Sequence, residues 1–377
     1  MTFPFTDEQI AYALAVREVL ARHCPAHAVG EAAGASHREA RLPAWPQLAA
    51  MGFFGALVPQ ERGGLGRGLA DVILAFEETG RAALPGPVVE TAAVGPLTLD
   101  DGDLLARLAA GRLCVSARLG DQVYVPDADL ADLLVMERRG SPEQGDGEPW
   151  IVPAARARCT PEPGIDPVRR LFSVTIDSPE DSLGDSPGDS TGGVAARTRR
   201  AFRPARPALR AATVAVAAQL VGLARRVLEV STDYARRHKQ FGVPVAAFQA
   251  IKRRLADVAV AIDLAASLVY AAAEAVHRGS VRHGVAGSGA GEAVLRSGVG
   301  EVDRVVSAAK AAAGEAAASA ATMALKVYGA DGYAGEPDLK LWLARVWSLA
   351  SAYGDTGVHR LRTAVMPQFV SPTCPWA

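Results

Sequence analysis

The chain has 377 residues, 49% of them hydrophobic and 21% charged, which is enough for a large core and, by length, for two or three domains. Its 40 basic and 41 acidic residues leave a formal net charge of −1, a balance that offers no field for nucleic acid or an anionic membrane surface. Cys24, Cys114, Cys159 and Cys374 are widely spaced and form no C-x-x-C pair, which argues against a zinc site or a disulfide framework and predicts a reducing cytoplasmic setting.

The opening "MTFPFTDEQ" has no basic stretch followed by an apolar one, so no secretory signal is expected. No window holds eighteen uncharged apolar residues, and a soluble protein is predicted. Thr6-Asp7-Glu8-Gln9 has the spacing of a capping box, and Ile10, Leu14 and Leu20 then follow one helical face until Pro25. Trp45, Leu48 and Met51 suggest a short second helix, and "GFFGALVPQERGGLG" (52–66) reads as a turn-rich connector. Leu69, Ile73 and Phe76 at i, i+4 and i+7 predict a third helix closing near Gly80. "ALPGPVVETAAVGPLTL" starts with a Pro/Gly interruption and resumes as helix. Residues 1–111 are therefore expected to form an α-helical domain.

From Arg112 the pattern changes. "RLCVSARL", "QVYVPDADLADLLVME", "PWIVP" and "RRLFSVTI" are short, rich in Val, Ile, Leu and Tyr, and punctuated by Asp, Pro and Gly, as strands joined by turns are. The stretch 178–198 ("SPEDSLGDSPGDSTGG" within it) is too poor in apolar residues to repay its ordering and is expected to be a flexible loop. Residues 112–204 thus form a small β domain. Helical patterning returns over 205–377, with helices expected at 208–240, 246–278, 291–328, 337–352 and 355–366. The Ala-rich 291–328 stretch suits close helix packing.

The remaining titratable residues carry bland expectations. His23 and His27 are separated by Pro25 and make a poor metal pair, and His277 and His283 flank a Gly-Ser turn. Glu77 and Glu78 are expected in surface or interdomain ion pairs, Arg345 in an ordering role, and His359 and Arg360 in packing or subunit contacts.

This α–β–α order, with its phrases "LPAWPQLAAMGFFGALVPQERGGLGRGLADVILAFEETGRAALPGPVVET", "VYVPDADLADLLV", "QFGVPVAAFQAIKRRLADV" and "MALKVYGADGYAGEPDLKLWLARV", resembles the acyl-CoA dehydrogenase family in its compact actinobacterial style. The resemblance covers nearly the whole chain. It implies a mainly α fold with a middle β-barrel or sandwich and a C-terminal four-helix-type bundle. It also implies FAD, an acyl thioester substrate (acyl-CoA or carrier-bound), α-proton removal by a carboxylate and hydride transfer from the β-carbon to flavin. A trans-2-enoyl product forms, and the electrons leave to an electron-transfer flavoprotein.

The family's flavin contacts map onto this sequence with changes. An Arg before the Q-F-G turn corresponds to His238, which cannot fork onto a pyrophosphate as a guanidinium does. Phe241 and the Phe248-Gln249 pair match, the pair lying at a subunit interface in relatives. The Q-x-x-G-G-x-G loop is "KVYGADG", with Lys326 for Gln, Gly329 kept and Ala330 for Gly, where a methyl group crowds an approaching cofactor.

The base is the second gap. The family places its Glu at one of two positions, here Tyr353 or Ala212, and neither is a carboxylate. A tyrosine, ordinarily titrating near pH ~10, is a poor base at neutral pH. Asp355 is the nearest carboxylate in sequence, though it also reads as the N-cap of the last helix. The T-E-P-x-x-G-S-D phrase of many relatives is missing, as in other compact members. The resemblance therefore leaves three readings open. One is a flavin-dependent dehydrogenase, as a homodimer or homotetramer. The second is a catalytically deficient subunit of a heteromer with a related dehydrogenase chain. The third is an acyl-thioester-binding protein without redox activity.

Overall fold

Thr6 caps α1 (Asp7–His23) as expected, its Oγ1 accepting from the Gln9 amide at 3.2 Å while Gln9 Oε1 accepts from the Thr6 amide at 2.9 Å. In the computed structural model the described residues are 3–32, 43–137, 149–176, 199–200, 205–285, 292–334 and 337–365; the loop expected at 178–198 lies outside them. A helix not expected from the sequence, α2 (Ala26–Ala32), follows Pro25, because a proline that ends one helix can open the next. The N-terminal helices continue with α3 (Ala44–Ala50), α4 (Leu69–Arg81), α5 (Gly95–Thr98) and α6 (Gly102–Ala109). A π-helical turn, Glu90–Val94, runs directly into α5.

Seven short strands come next: β1 (Val115–Arg118), β2 (Val125–Pro126), β3 (Leu133–Glu137), β4 (Pro149–Pro153), β5 (Ala157–Glu162), β6 (Leu171–Ile176) and β7 (Arg199–Arg200). They make a four-stranded sheet of order β1-β3-β4-β7, with β1 and β3 parallel, and a three-stranded antiparallel sheet of order β2-β6-β5. Alternation along β3 decides what each face meets. Leu133 and Val135 join the main core shared with the helices. Leu134 and Met136 pack with Trp150, Val152 and Phe172 in a separate core between the sheets.

The C-terminal helices are α7 (Ala205–Arg237), α8 (Gln249–Val285), α9 (Glu292–Tyr328), α10 (Ala330–Ala334), α11 (Pro337–Ser351) and α12 (Thr356–Val365), close to the expected spans. The Gly-Ser turn expected between His277 and His283 is absent: α8 runs through it, and the ring of His277 packs against Gly68. Helix α7 is the centre of the bundle. Its Gly222 and the Gly80 of α4 let the two backbones touch: a Cβ at 222 would lie 1.9 Å from the Glu77 carbonyl, and one at 80 would lie 2.1 Å from that of Gln219. Both α7 and residues 249–278 of α8 are long and apolar enough to cross a membrane, but α7 is mostly buried in the bundle. Helix α8 instead leaves Val260, Leu264 and Leu268 exposed in one stripe.

Glu77 and Glu78 make the ion pairs expected of them, Glu77 across domains, but in the interior and not at the surface. Both are buried between helices. Arg17 of α1 donates to Glu78 through Nε (2.8 Å) and Nη2 (2.6 Å). Glu77 accepts from the Tyr270 hydroxyl at 2.6 Å and lies 2.8 Å from Arg225 Nε. For Glu77 the Arg225 charge and the Tyr270 hydroxyl offset only part of the desolvation, and burial raises its carboxyl.

Candidate active site

The N-terminal helices, the strands and the C-terminal helices meet at a polar junction built around α11. Arg345 is buried there. Its Nε hydrogen-bonds Asp166 Oδ2, and its Nη1 donates to the Leu84 carbonyl at 2.9 Å, tying α11 to the loop after β5 and to the segment after α4. Desolvation pushes the Asp166 carboxyl up, but the charge and hydrogen bond of Arg345, with amide donors at 168 and 169, carry it below the usual range. Asp127 is also buried and accepts from the Arg170 amide at 3.1 Å. Desolvation raises its carboxyl to about 7 against the pull of Arg169 and Arg345. Arg169 reaches in from the strands, its Nη1 3.4 Å from Ser348 Oγ.

The centre of the junction is a pair 263 residues apart in sequence: the Tyr353 hydroxyl donates to Glu90 Oε1 at 2.8 Å. Glu90 is only 4% exposed and opens the π-helical turn. Burial raises its carboxyl, with the nearby Arg169 opposing, and burial together with Glu90 raises the Tyr353 phenol well above its ordinary value. Tyr353 sits at φ +57°, in the left-handed region that a bulky side chain rarely occupies. It is held there by His359 Nε2, 3.1 Å from its carbonyl, and by Lys310 Nζ, 3.1 Å from the Gly354 carbonyl. Of the four non-glycine residues with positive φ among the described residues, Ala83, Asp127 and Tyr353 all border this junction. The cavity beside Glu90 is about 20 Å³ and is lined by Leu84, Val89, Arg169, Gln219 and Arg345 among others. That volume suits one water molecule and not an acyl chain.

A second feature is the corner between α7 and α8. Lys239-Gln240 and Val243-Pro244 pair as a short hairpin, β8 and β9, with Phe241 (φ +53°) and Gly242 (φ +84°) at its tip. Phe241 is 94% exposed and meets the Phe248 ring edge-on, and Gln249 is exposed beside it. The His238 ring stacks on Tyr234, which stacks in turn on Tyr328. Gly329 takes φ +58° with open space around it, and Ala330, exposed, begins α10. Lys326 opens on a groove of about 430 Å³ between α8 and α9, shared with Arg254, Asp257, Ser319 and Thr322. Among the described residues neither Arg254 nor Lys326 is in an ion pair.

Four of the residues picked out from sequence, His238, Phe241, Phe248 and Gln249, fall at this corner, and one, Tyr353, falls at the junction. Lys326, Gly329 and Ala330 lie at the end of α9 and the start of α10. Tyr353 faces the junction. Asp355 does not: it is exposed, and its Oδ1 accepts from the Val358 amide at 2.8 Å as the N-cap of α12. Ala212 is a buried core residue of α7. Sequence reasoning missed Glu90, Arg169 and Arg254.

Helices, two small sheets and a long-helix bundle gathered on one polar junction define a three-part α–β–α class of fold. Profiles for "Acyl-CoA dehydrogenase, N-terminal domain" and "Acyl-CoA dehydrogenase, C-terminal domain" match residues 6–102 and 202–365. The acyl-CoA dehydrogenase IpdE2 of Mycobacterium tuberculosis is 31% identical over 267 residues, covering 70% of this chain and 73% of that protein. FadE34 of the same organism, an acyl-CoA dehydrogenase, is 27% identical over 388 residues, covering 98% of this chain and 49% of that protein. Among solved structures, the ChsE4-ChsE5 complex from Mycobacterium tuberculosis has a TM-score of 0.74 at 17% identity, covering 99% of this chain and 100% of that one. The FAD complex of PigA also reaches 0.74, at 15% identity, covering 97% and 98%. This chain belongs to the acyl-CoA dehydrogenase family.

FAD is the cofactor of that family, and the donors of the α8–α9 groove suit its charged end on balance. Lys326 and Arg254 bring two cations, and Ser319 and Thr322 two hydroxyls, to one groove, against the single carboxylate of Asp257. His238, with its ring stacked on Tyr234, supplies no fork.

Proposed function

We propose that this chain binds FAD and works in the α,β-desaturation of an acyl thioester, as one member of an oligomer whose second chain covers the α7–α8 corner. The observation that carries this is the state of that corner. Phe241 projects 94% exposed beside Phe248, and the groove between α8 and α9 carries two cations, Arg254 and Lys326, against one carboxylate, Asp257. A phenyl ring so exposed on a left-handed backbone fits a contact completed by something else. The α8 stripe of Val260, Leu264 and Leu268 continues the same apolar face.

Lys326 and Arg254 would hold the cofactor's phosphates, with Ser319 and Thr322 donating hydrogen bonds. Bound there, FAD supplies a two-electron acceptor for the substrate's β-hydrogen. The chain's own part is to seat the thioester at the junction, exclude water and take the α-proton. An electron-transfer flavoprotein is the proposed recipient of the electrons. A reducing cytoplasmic setting suits Cys24, Cys114 and Cys159, which form no disulfide among the described residues.

A second reading is favoured by the cavity of about 20 Å³ at the junction and by the lack of a carboxylate at both 212 and 353. In it, this chain is the catalytically deficient half of a heteromer and the acyl group sits in the partner. The test is a visible spectrum of the purified chain after incubation with FAD and desalting, alone and with a related dehydrogenase chain from the same source. Retained flavin that bleaches with acyl-CoA in the isolated chain supports the first reading. Bleaching only in the mixture supports the second, and a colourless protein in both overturns the flavin reading.

A further inference from the structure

We infer that Glu90 is the catalytic base of this chain and that Tyr353 positions it; this rests on the desaturation reading given above. The reaction needs a carboxylate at the substrate's α-carbon, and the chain has none where the family keeps it. The structure brings one, Glu90, to the end of the side chain that holds that position. Tyr353 occupies the loop position of the family's Glu, and its hydroxyl ends on Glu90 Oε1 at 2.8 Å.

Elimination among the buried carboxylates leads to the same residue. Glu77 is committed to Arg225 and Tyr270, Glu78 to Arg17, and Asp166 to Arg345. Asp127 accepts from the Arg170 amide, and its Oδ2 is buried without a partner. Asp127 and Glu90 are thus the two that meet no cation at ion-pair distance among the described residues, and of these Glu90 is the one bonded to the phenol at the family's loop position. A structural carboxylate in an apolar wall would be expected to carry a paired charge. The donors to Glu90, the Tyr353 hydroxyl and its own backbone amide, are both neutral, which leaves the carboxylate able to take a proton.

The backbone singles out the same pair. Glu90 begins a π-helical turn, a feature that recurs at functional sites, and Tyr353 holds a left-handed conformation fixed by His359 and Lys310. Two local departures from regular structure, from opposite ends of the chain, meet in one hydrogen bond.

The surroundings supply the rest. The cavity beside Glu90 is also lined by Arg345, whose Nη2 is buried with no partner, and by Arg169, whose guanidinium is held to Ser348 by one 3.4 Å bond. These are donors for the negative charge that develops on the thioester oxygen as the α-proton leaves. Arg169, held by that one long bond, must give way to admit the thioester. The step balances. The α C–H bond breaks and its proton goes to Glu90. Its electron pair becomes the α,β double bond, and the β-hydrogen would leave with its own pair as hydride, for which FAD, held by Lys326 and Arg254, would supply the two-electron acceptor.

The test uses the full chain loaded with FAD, with its partner chain if loading requires one, and butyryl-CoA and octanoyl-CoA as probes. Flavin bleaching reads the whole reaction. Exchange of the α-hydrogens for deuterium in D2O reads the base alone. Glu90→Gln is expected to slow both by about 10²–10⁴-fold while flavin stays bound, with Glu90→Asp in between. Tyr353→Phe removes a donor to the carboxylate, so the acid limb of the rate profile moves to higher pH and activity recovers as pH rises. Wild-type activity with Glu90→Gln unchanged in both assays overturns the inference and leaves the desaturation reading standing. A Tyr353→Phe profile that superimposes on wild type overturns the positioning role, and serves as the test of the pair should Glu90→Gln fail to fold. A wild-type protein that neither bleaches nor exchanges with either probe overturns both.

Discussion

The ammonium group of Lys310 lies 3.1 Å from the carbonyl oxygen of Gly354, one residue beyond Tyr353. The same nitrogen donates to the carbonyls of Leu349 (3.2 Å) and Ala350 (2.9 Å), so a buried lysine of α9 closes the end of α11 and fixes the loop that carries the phenol. Those last-turn carbonyls have no partner within their own helix. A cation is well placed against them, since the helix dipole is negative at that end.

That arrangement has a pH signature. Burial lowers the Lys310 amine to about 7, with Arg169 adding to the effect and Asp355 opposing it. The unfolded chain, titrating near pH ~10.4, binds the proton more tightly, so folding is penalised fully below pH 7 and the penalty lifts as pH rises. Stability attributable to this group is expected to increase from about pH 7 towards pH 10. Urea midpoints measured at pH 7, 8 and 9 check the sign. Lys310→Met should flatten that slope and cost about 1–3 kcal/mol at pH 8, because the carbonyls lose their donor.

Asp166→Ala is expected to cost about 3–5 kcal/mol, read as a lower urea midpoint. The substitution leaves the Arg345 guanidinium buried without its carboxylate partner, and Nη2 of that side chain is already unpartnered. The loss should be larger than for Arg360→Ala, whose ion pair with Glu315 is largely exposed and is worth at most about 1 kcal/mol.

Much of this architecture was legible in the sequence because its signals are local. The Thr6 capping box, the Leu69-Ile73-Phe76 stripe and the break at Phe241-Gly242 each depend on neighbours a few residues away. Glu90 was not legible. It follows Pro85, Gly86 and Pro87 and starts a π turn, in which side chains no longer repeat every 3.6 residues, and its partner lies 263 positions on. Arg254 was missed for a related reason: its groove exists only once α9 lies beside α8. The Gly-Ser pair at 279–280 misled in the other direction. A helical glycine costs only about 1 kcal/mol, which packing of a long helix overrides. Asp355 was legible in both its readings, and the structure realises the cap.

The close approach of α4 and α7 predicts a contrast between two glycines. Gly222→Ala would put a methyl 1.9 Å from the Glu77 carbonyl, and the two helices must separate to admit it. A loss of about 3 kcal/mol is expected, with Glu77 and Arg225 pulled out of register. Gly242→Ala meets no atom within 4 Å but needs φ +84°, so its cost is limited to the backbone, about 1–2 kcal/mol. Denaturant midpoints of the two variants, compared with wild type, separate a packing effect from a conformational one.

The α8 stripe ties oligomer formation to flavin retention. Val260, Leu264 and Leu268 follow each other at four-residue spacing, and Leu264 is 64% exposed, while the same helix carries Arg254 nearer its start and Gln249 at its first position. A charge placed in the stripe opposes its burial against a second chain without touching the groove. Leu264→Glu is therefore expected to shift the protein to monomer in light scattering after gel filtration, and to release flavin on desalting because the exposed Phe241 corner loses its cover. Fold stability should change by less than about 0.5 kcal/mol, since the leucine contributes little to the core of the single chain. An unchanged oligomer would place the subunit contact on another face. A monomer that keeps its flavin would mean that Lys326, Arg254 and their hydroxyl neighbours suffice to hold it.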